Sequence, residues 1–285
     1  MTETGPLRRF SLRSFLLTVI CIGLVVGMTG RVVVSITARN AARIAAIDAI
    51  SAEKNGSAWM FSSDGPEVTS SRDPSPVKVM LMHMDPQPLA ENLQHCAAIG
   101  SVVELFLADS SFDPAFLMSV DMTPHVRIIS CQLCKGLTEQ VCSILVKKYP
   151  FLEEIDLQNS DIGRNGLEEF SELKYLTSVD VSDVAIASED IAHTFQSFPA
   201  LERLTIGGED LRGKLRHFGS LPQVREITLK EIDFTEEDLA GFLDQTRCDK
   251  VVALSVFQHL NRDKIAELLK DKAKLDILED GIKRF

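Results

Sequence analysis

The sequence lacks the motifs that mark common enzyme classes. It contains no G-x-S-x-G, no P-loop and no dinucleotide-binding fingerprint. Its six histidines show no H-x-x-x-H spacing, and acidic pairs such as Glu153 with Glu154 are adjacent in the chain, so their side chains diverge. We therefore predict no catalytic residues, no cofactor and no metal site, and a protein that is not an enzyme.

Positive charge is scarce outside the N-terminus. Residues 1–50 hold six arginines and two acids, whereas the formal net charge of the chain is −11, so residues 51–285 carry −15. An acidic domain repels phosphate backbones. This charge distribution excludes nucleic acid as a partner.

The stretch FLEEIDLQNSDI, residues 151–162, spaces its apolar side chains in an unusual way. Leu152, Ile155 and Leu157 fit a short strand with one buried face, because side chains alternate along a strand. Ile162 lies too far along for the same strand, so the chain must turn inward again. This spacing is typical of one coil of a solenoid, which needs neighbouring coils to bury its apolar edge.

The same spacing recurs through the sequence. Successive units begin 25, 24, 26, 24, 25, 23 and 27 residues apart. The first apolar positions of the eight units are Val77, Val102, Val126, Leu152, Leu176, Leu201, Val224 and Val251. Self-similarity at such a period is the signature of a repeat architecture.

These units resemble the leucine-rich repeat, L-x-x-L-x-L-x-x-N/C-x-L, which has one strand per unit. The Asn position of that motif is filled by other residues: Asp85, Ser110, Cys134, Ser160, Val184, Glu209, Ile232 and His259. Between the strands, stretches such as TEQVCSILVKKYP have helical apolar spacing. We predict an α/β solenoid of about eight coils, with parallel strands on its concave face and short helices on its convex face.

The N-terminus carries an apolar run flanked by arginines. Residues 14–30 are uncharged, and the apolar stretch extends to about residue 36 when Arg31 snorkels. We predict a transmembrane helix over 14–36, with the N-terminus cytoplasmic and the repeats on the non-cytoplasmic side. A cleaved signal peptide is the alternative, although no clean A-x-A site follows. Gly23 and Gly27 form a G-x-x-x-G, a weak signal for a helix dimer.

The predicted organisation follows from these segments. It comprises a cytoplasmic tail (1–13), the membrane helix (14–36), an Ala-rich helical stalk (37–56), a linker or N-terminal cap (57–76), the repeats (77–274) and a C-terminal cap (275–285). The order RRFSLRS, apolar span, ARNAARIAAIDAI and GSAWMF resembles a bacterial family of single-span, membrane-anchored leucine-rich-repeat proteins. That resemblance implies a surface or periplasmic interaction protein without shared catalytic residues.

A cluster of charges is predicted on the concave face. Residues 151–190 hold eleven acids and two bases. The predicted partner-binding residues on the strands are Glu154, Asp156, Asp180, Asp183, Arg203, Glu226 and Lys230. Fixed charges on a rigid sheet raise encounter rates and select partners, so this strip is interpreted as a docking surface for a basic protein. The alternative is that these positions are simply solvated.

The cysteines are predicted to lie mainly in the core. The spacing Cys131-x-x-Cys134 is compatible with a zinc or a redox site, but zinc needs two more ligands, and both residues occupy inward positions of their coil, which favours core packing. Cys142 could pair with either of them, whereas Cys96 and Cys248 are predicted to be buried thiols.

Taken with the repeats, these features predict a membrane-tethered, non-catalytic interaction module that binds a protein or other envelope ligand. There are two alternatives. One is a structural protein of the envelope that self-associates, with a possible homodimer, and the other is a cytoplasm-facing regulatory adaptor.

Overall fold

All the strands of the computed structural model belong to one sheet, arranged in the order of the chain. The model describes residues 38, 41–50, 58–62, 76–121, 123, 125–208, 211, 213–230, 235–254, 275–279 and 282–283. The strands, β1 to β11, are Ala58–Ser62, Val77–Leu81, Val102–Phe106, Ile128–Ser130, Glu154–Asp156, Ser178–Asp180, Arg203–Gly207, Glu226–Lys230, Lys250–Leu254, Leu275–Glu279 and Ile282–Lys283.

Helices connect many of the strands. Helix α1 covers residues 41–50. Helices α2 to α7 are Pro86–Ile99, Pro114–Ser119, Glu139–Lys148, Arg164–Glu169, Ser188–Phe195 and Glu236–Gln245. Successive helices from α2 to α6 pack against one another in chain order, as expected for stacked coils.

Local sequence explains where several helices begin. Thr138 accepts a hydrogen bond from the Val141 amide at the start of α4, and Asp113 does the same for Ala115 at α3. At α7, Thr235 and Asp238 form a reciprocal capping box. In these three coils the caps fix the residue at which the helix begins.

Strands β2 to β10 are parallel, and the middle coils pair in the register that the repeat spacing predicts. Each buried residue of one strand faces its counterpart on the next, as in Ile129 with Ile155 and Leu204 with Ile227. These four side chains are almost fully buried. The prediction of an α/β solenoid with parallel strands is therefore confirmed.

A left-handed residue recurs four positions after the central buried residue of each strand from β2 to β7. Its members are His83, Asp109, Leu133, Asn159, Asp183 and Gly208, all with positive φ. Asn, Asp and Gly tolerate this conformation, which turns the chain away from the sheet. Leu133 is the bulky exception, with φ 58°.

The predicted register is wrong in the first coil. Val79, not Met80, pairs with Leu105, and Val79 and Leu81 are fully buried while Met80 and Met82 are half-buried. A slip of one residue exchanges the two faces of a strand. The stretch VKVMLM has apolar residues of both parities, so pairing with β3 decides the register.

The predicted register is also wrong in the eighth coil. Val251 pairs with Ile227, whereas the repeat spacing aligned it with Val224. The predicted alignment of this coil is therefore displaced by three residues. Cys248, which is buried, occupies the place that corresponds to Val224. The run KVVALSV is apolar at too many positions for spacing alone to fix its alignment.

The two ends of the sheet carry antiparallel strands. β1 pairs antiparallel with β2, and β11 pairs antiparallel with β10. Helix α1 buries Ala46, Ile47 and Ile50 in the same hydrophobic core as the repeats. Within the part of 37–56 that the structure describes, the helix therefore packs its apolar face into the core of the repeats.

The predicted membrane helix, 14–36, and the pair Gly23 and Gly27 lie outside the described residues. Among the residues that are described, no helix has both the length and the apolar character that crossing a bilayer requires.

Candidate functional site: the polar face of the sheet

The solvent side of the sheet presents its side chains in rows that cross the strands. In β5, Glu154 and Asp156 flank buried Ile155, so both project from the opposite face. The register places Glu154, Ser178, Arg203, Glu226 and Lys250 in one row, which we call the first row. The second row contains Ser130, Asp156, Asp180, Thr205 and Thr228.

The charges of the first row are paired with one another. Arg203 Nη2 lies 3.2 Å from Glu154 Oε2, across the intervening Ser178. Lys250 Nζ lies 3.1 Å from Glu226 Oε1. Three of the predicted partner-binding residues, Glu154, Arg203 and Glu226, therefore have intramolecular partners, and their net charge as a row is small.

The second row contains two carboxylates side by side. Asp156 and Asp180 are direct partners in the register of β5 with β6. Asp156 accepts hydrogen bonds from Ser130 Oγ at 3.2 Å, from the backbone N–H of Gln158 at 3.0 Å and from Gln132 Nε2. This network fixes the orientation of the Asp156 side chain.

Asp180 is held by Ser182 and is largely removed from solvent. Its Oδ1 accepts from the Ser182 amide at 2.8 Å and from Ser182 Oγ. Burial raises the pKa of Asp180, the two hydrogen bonds from Ser182 oppose that rise, and the charge of Asp156 adds to it. Holding negative charge on both side chains therefore costs free energy, because Asp180 is partly desolvated and the two carboxylates repel each other.

Lys230 reaches towards this pair from β8. Its Nζ donates to Gln158 Oε1, and its charge lowers the pKa of Asp180. The structure thus brings Asp156, Asp180 and Lys230 into one group. We call these three residues, with Gln158, the concave cluster.

Asp183, also predicted to lie on the strand face, does not belong to β6. It has φ 57° and occupies the left-handed turn after the strand, where its amide donates to the Gly207 carbonyl. The prediction assumed a longer strand. Strand β6 ends at Asp180, so Asp183 lies in the turn beyond the carboxyl end of this strand.

A second exposed group was missed by the sequence analysis. Phe151 and Tyr175 occupy equivalent positions just before two neighbouring strands, with ring centroids 5.7 Å apart. The Arg127 guanidinium lies 5.5 Å from the Phe151 ring centroid and pairs with Glu153 at 2.9 Å. The signal was available, because aromatic residues precede the first inward residue in two consecutive coils.

The convex side also has a groove, between α2 and α3. Its volume is about 720 Å³, and Gln87, Glu91 and Phe116 are among its lining residues. Met118, which like Phe116 lies on α3, is 64% exposed. Because apolar side chains are exposed here, the convex side is a second candidate surface for binding a partner.

The cysteines that the structure describes are buried free thiols. Burial raises the pKa of Cys96 and of Cys142 to about 12. Across the described part of the chain, no group of three or more His, Cys, Asp or Glu side chains is placed to hold a metal ion.

The chain was compared with known protein families, curated proteins and solved structures. No protein-family model matches it, and no curated protein matches it. The fold is similar to that of internalin C2 from Listeria monocytogenes at 14% sequence identity, with a TM-score of 0.39, covering 66% of this chain and 74% of that chain.

Proposed function

We propose that the protein is a non-catalytic interaction module whose concave cluster docks a basic segment of a partner protein. The observation that carries this proposal is the placement of Asp156 and Asp180 as direct neighbours on the polar face of the sheet. Only two carboxylates of the predicted set remain as a pair of like charges, because Glu154 and Glu226 have cationic partners within the first row.

Electrostatics favours a cationic ligand at this point. A carboxylate pair at the spacing of adjacent strands repels itself, and an arriving Lys or Arg side chain relieves that repulsion while forming charge-assisted hydrogen bonds. Lys230 shows that an ammonium group is compatible with this position, since it already lowers the pKa of Asp180. The sheet is rigid, so little ordering entropy is lost when the partner docks.

The test is charge reversal with a matched control. Asp156→Lys combined with Asp180→Lys should weaken binding of a lysine-rich peptide to the full chain about tenfold or more at low ionic strength, measured by calorimetry. Glu172→Lys combined with Glu237→Lys makes the same total charge change at exposed positions outside the strands and should leave binding within about twofold, which is a fraction of a kcal/mol. Equal losses in both variants would show only a response to net charge.

We also propose that residues 14–36 tether the module to a membrane with the repeats on the non-cytoplasmic side. The support is the length of the apolar run and the arginines before it. Protease shaving of intact cells, followed by detection of a C-terminal tag, tests it. Loss of a membrane-bound tag agrees with this orientation, whereas a protected membrane-bound tag favours the cytoplasm-facing adaptor. A tag in the soluble fraction favours cleavage of the segment.

Crosslinking of the tethered protein separates the interaction module from the structural alternative. The proposal predicts heterologous products that the concave double variant loses. Products that contain this chain alone would instead favour self-association, for which Gly23 and Gly27 are the predicted helix contacts.

A further inference from the structure

The turn that ends β4 carries two thiols on its inner side. Cys134 donates its backbone N–H to the Cys131 carbonyl at 3.3 Å. A turn closed by such a bond keeps the Cα atoms of its first and last residues within about 7 Å, and disulfides span about 4.4–6.8 Å between Cα atoms. The backbone therefore already meets the first requirement for a bridge.

The side chains meet the second requirement. Cys131 and Cys134 are both buried and belong to the same hydrophobic core. Cys134 helps to raise the pKa of Cys131, so the two thiols lie near one another, and Cys134 Sγ also donates to the Leu107 carbonyl. The residues between them, Gln132 and Leu133, are on the outside of the turn, where Leu133 is 52% exposed.

The third thiol of this region is engaged elsewhere. Cys142 Sγ donates to the Leu137 carbonyl at 3.6 Å, within its own coil. A Cβ on Gly166 would lie 3.1 Å from Cys142 Sγ, so this thiol packs between α4 and α5. Cys134, which is closed against Cys131 by the turn, is therefore better placed than Cys142 to pair with Cys131.

The next coil has the same turn without the thiols. Ser160 donates its backbone N–H to the Leu157 carbonyl at 3.0 Å, in the positions of Cys134 and Cys131. The solenoid therefore does not need cysteines to form this turn. Two adjacent thiols at this one turn are an addition to the coil, which calls for a separate explanation.

We propose that Cys131 and Cys134 are a redox pair that closes to a disulfide within the third coil when the protein meets a small-molecule disulfide such as oxidised glutathione. One thiolate attacks the small disulfide and releases one thiol, and the second cysteine then displaces the other. The two cysteines together lose two electrons and two protons, and the small disulfide is reduced to two thiols.

Burial determines when this exchange takes place. The thiolate is the attacking species, and burial together with Cys134 keeps the pKa of Cys131 well above its ordinary value. The closed coil therefore protects the dithiol, and exchange occurs as the coil forms or opens. The bridge forms within the core, so the redox pair does not depend on the proposed docking.

Peptide mapping distinguishes the possible pairings, because the sequence separates the three thiols. Trypsin cuts after Arg127, Lys135 and Lys147, which places Cys131 and Cys134 on peptide 128–135 and Cys142 on peptide 136–147. The full chain is unfolded with reductant, refolded in detergent with excess oxidised glutathione, alkylated and digested. We expect peptide 128–135 to be unalkylated and two hydrogens lighter than its dithiol form.

Two results would overturn the proposal. One is a crosslink between peptides 128–135 and 136–147, which would make Cys142 the partner. The other is alkylation of both cysteines of 128–135 at every glutathione ratio. As controls, Cys142→Ser should keep the bridged peptide and Cys134→Ser should lose it. Serine is compatible with the second site, because Ser160 occupies it in the next coil.

Discussion

The two faces of the strands obey different rules. On the buried face, Ile129, Ile155, Val179 and Leu204 succeed one another with only apolar side chains. On the polar face, the first row alternates cations and anions that pair, whereas the second row sets two carboxylates together. The comparison teaches that the repeat fixes one face and leaves the other free for recognition.

The largest expected effect comes from interrupting the buried face. Ile155→Ala should lower the free energy of unfolding by about 2–5 kcal/mol, because it removes buried methyl groups and leaves a cavity between two coils. Ser178→Ala, on the polar face of the next strand, should change it by about 0.5 kcal/mol or less. Denaturant unfolding measures both. Similar losses in the two variants would contradict the difference between the faces.

A close backbone approach between coils should be nearly as sensitive. Gly136 has φ 76°, and a Cβ there would overlap the Phe112 carbonyl oxygen, so Gly136→Ala should cost about 1–3 kcal/mol. Gly163→Ala is the matched control, since a Cβ at that position meets no atom within 4 Å. Thermal unfolding of both variants measures the contrast, and an unchanged Gly136→Ala melting temperature would show that the two coils can move apart.

The carboxylate pair of the polar face predicts a pH effect. The folded-state pKa of Asp180 is raised, so its protonated form favours the folded protein and that contribution is lost as pH rises from the ordinary value, 3.8, through the folded pKa. Asp180→Asn removes the buried charge. The variant should therefore be more stable than the wild type above that window, and this difference should disappear below it. Unfolding curves across the acid range test this, and a pH-independent difference would contradict it.

The smallest effect is expected in the first row. Glu154 and Arg203 are each about half exposed, so solvent screens their attraction. A double-mutant cycle with Glu154→Gln and Arg203→Gln should give a coupling energy of about 0.2–1 kcal/mol that falls as salt is added. A coupling that does not respond to salt would mean that the first row is dehydrated.

The middle of the fold was predictable because its sequence is unambiguous. In FLEEIDL and LTSVDV, polar residues separate the apolar ones, so only one register buries the apolar face. The first coil defeated the prediction because Met80 and Met82 place apolar side chains on the face opposite Val79 and Leu81. Pairing with Leu105 and with the antiparallel strand β1 decides in favour of Val79 and Leu81.

The candidate site was predictable only in part. Parity along the strand correctly placed Glu154, Asp156 and Asp180 on the polar face. The left-handed turn at Asp183 and the pairing of Glu154 with Arg203 depend on residues of other coils, 24 and 49 positions away in sequence. Exposure of Phe151 and Tyr175 likewise depends on how neighbouring coils stack.

The sequence by itself determined the number of coils in the middle of the solenoid and the identity of its buried residues, because apolar spacing requires one face to be covered. Tertiary structure alone decided which charges neutralise one another, which thiols become neighbours and where the end coils align. The physical reason is that burial depends on the type of each residue, whereas ion pairing, thiol contact and strand register depend on distances between coils that only the folded chain defines.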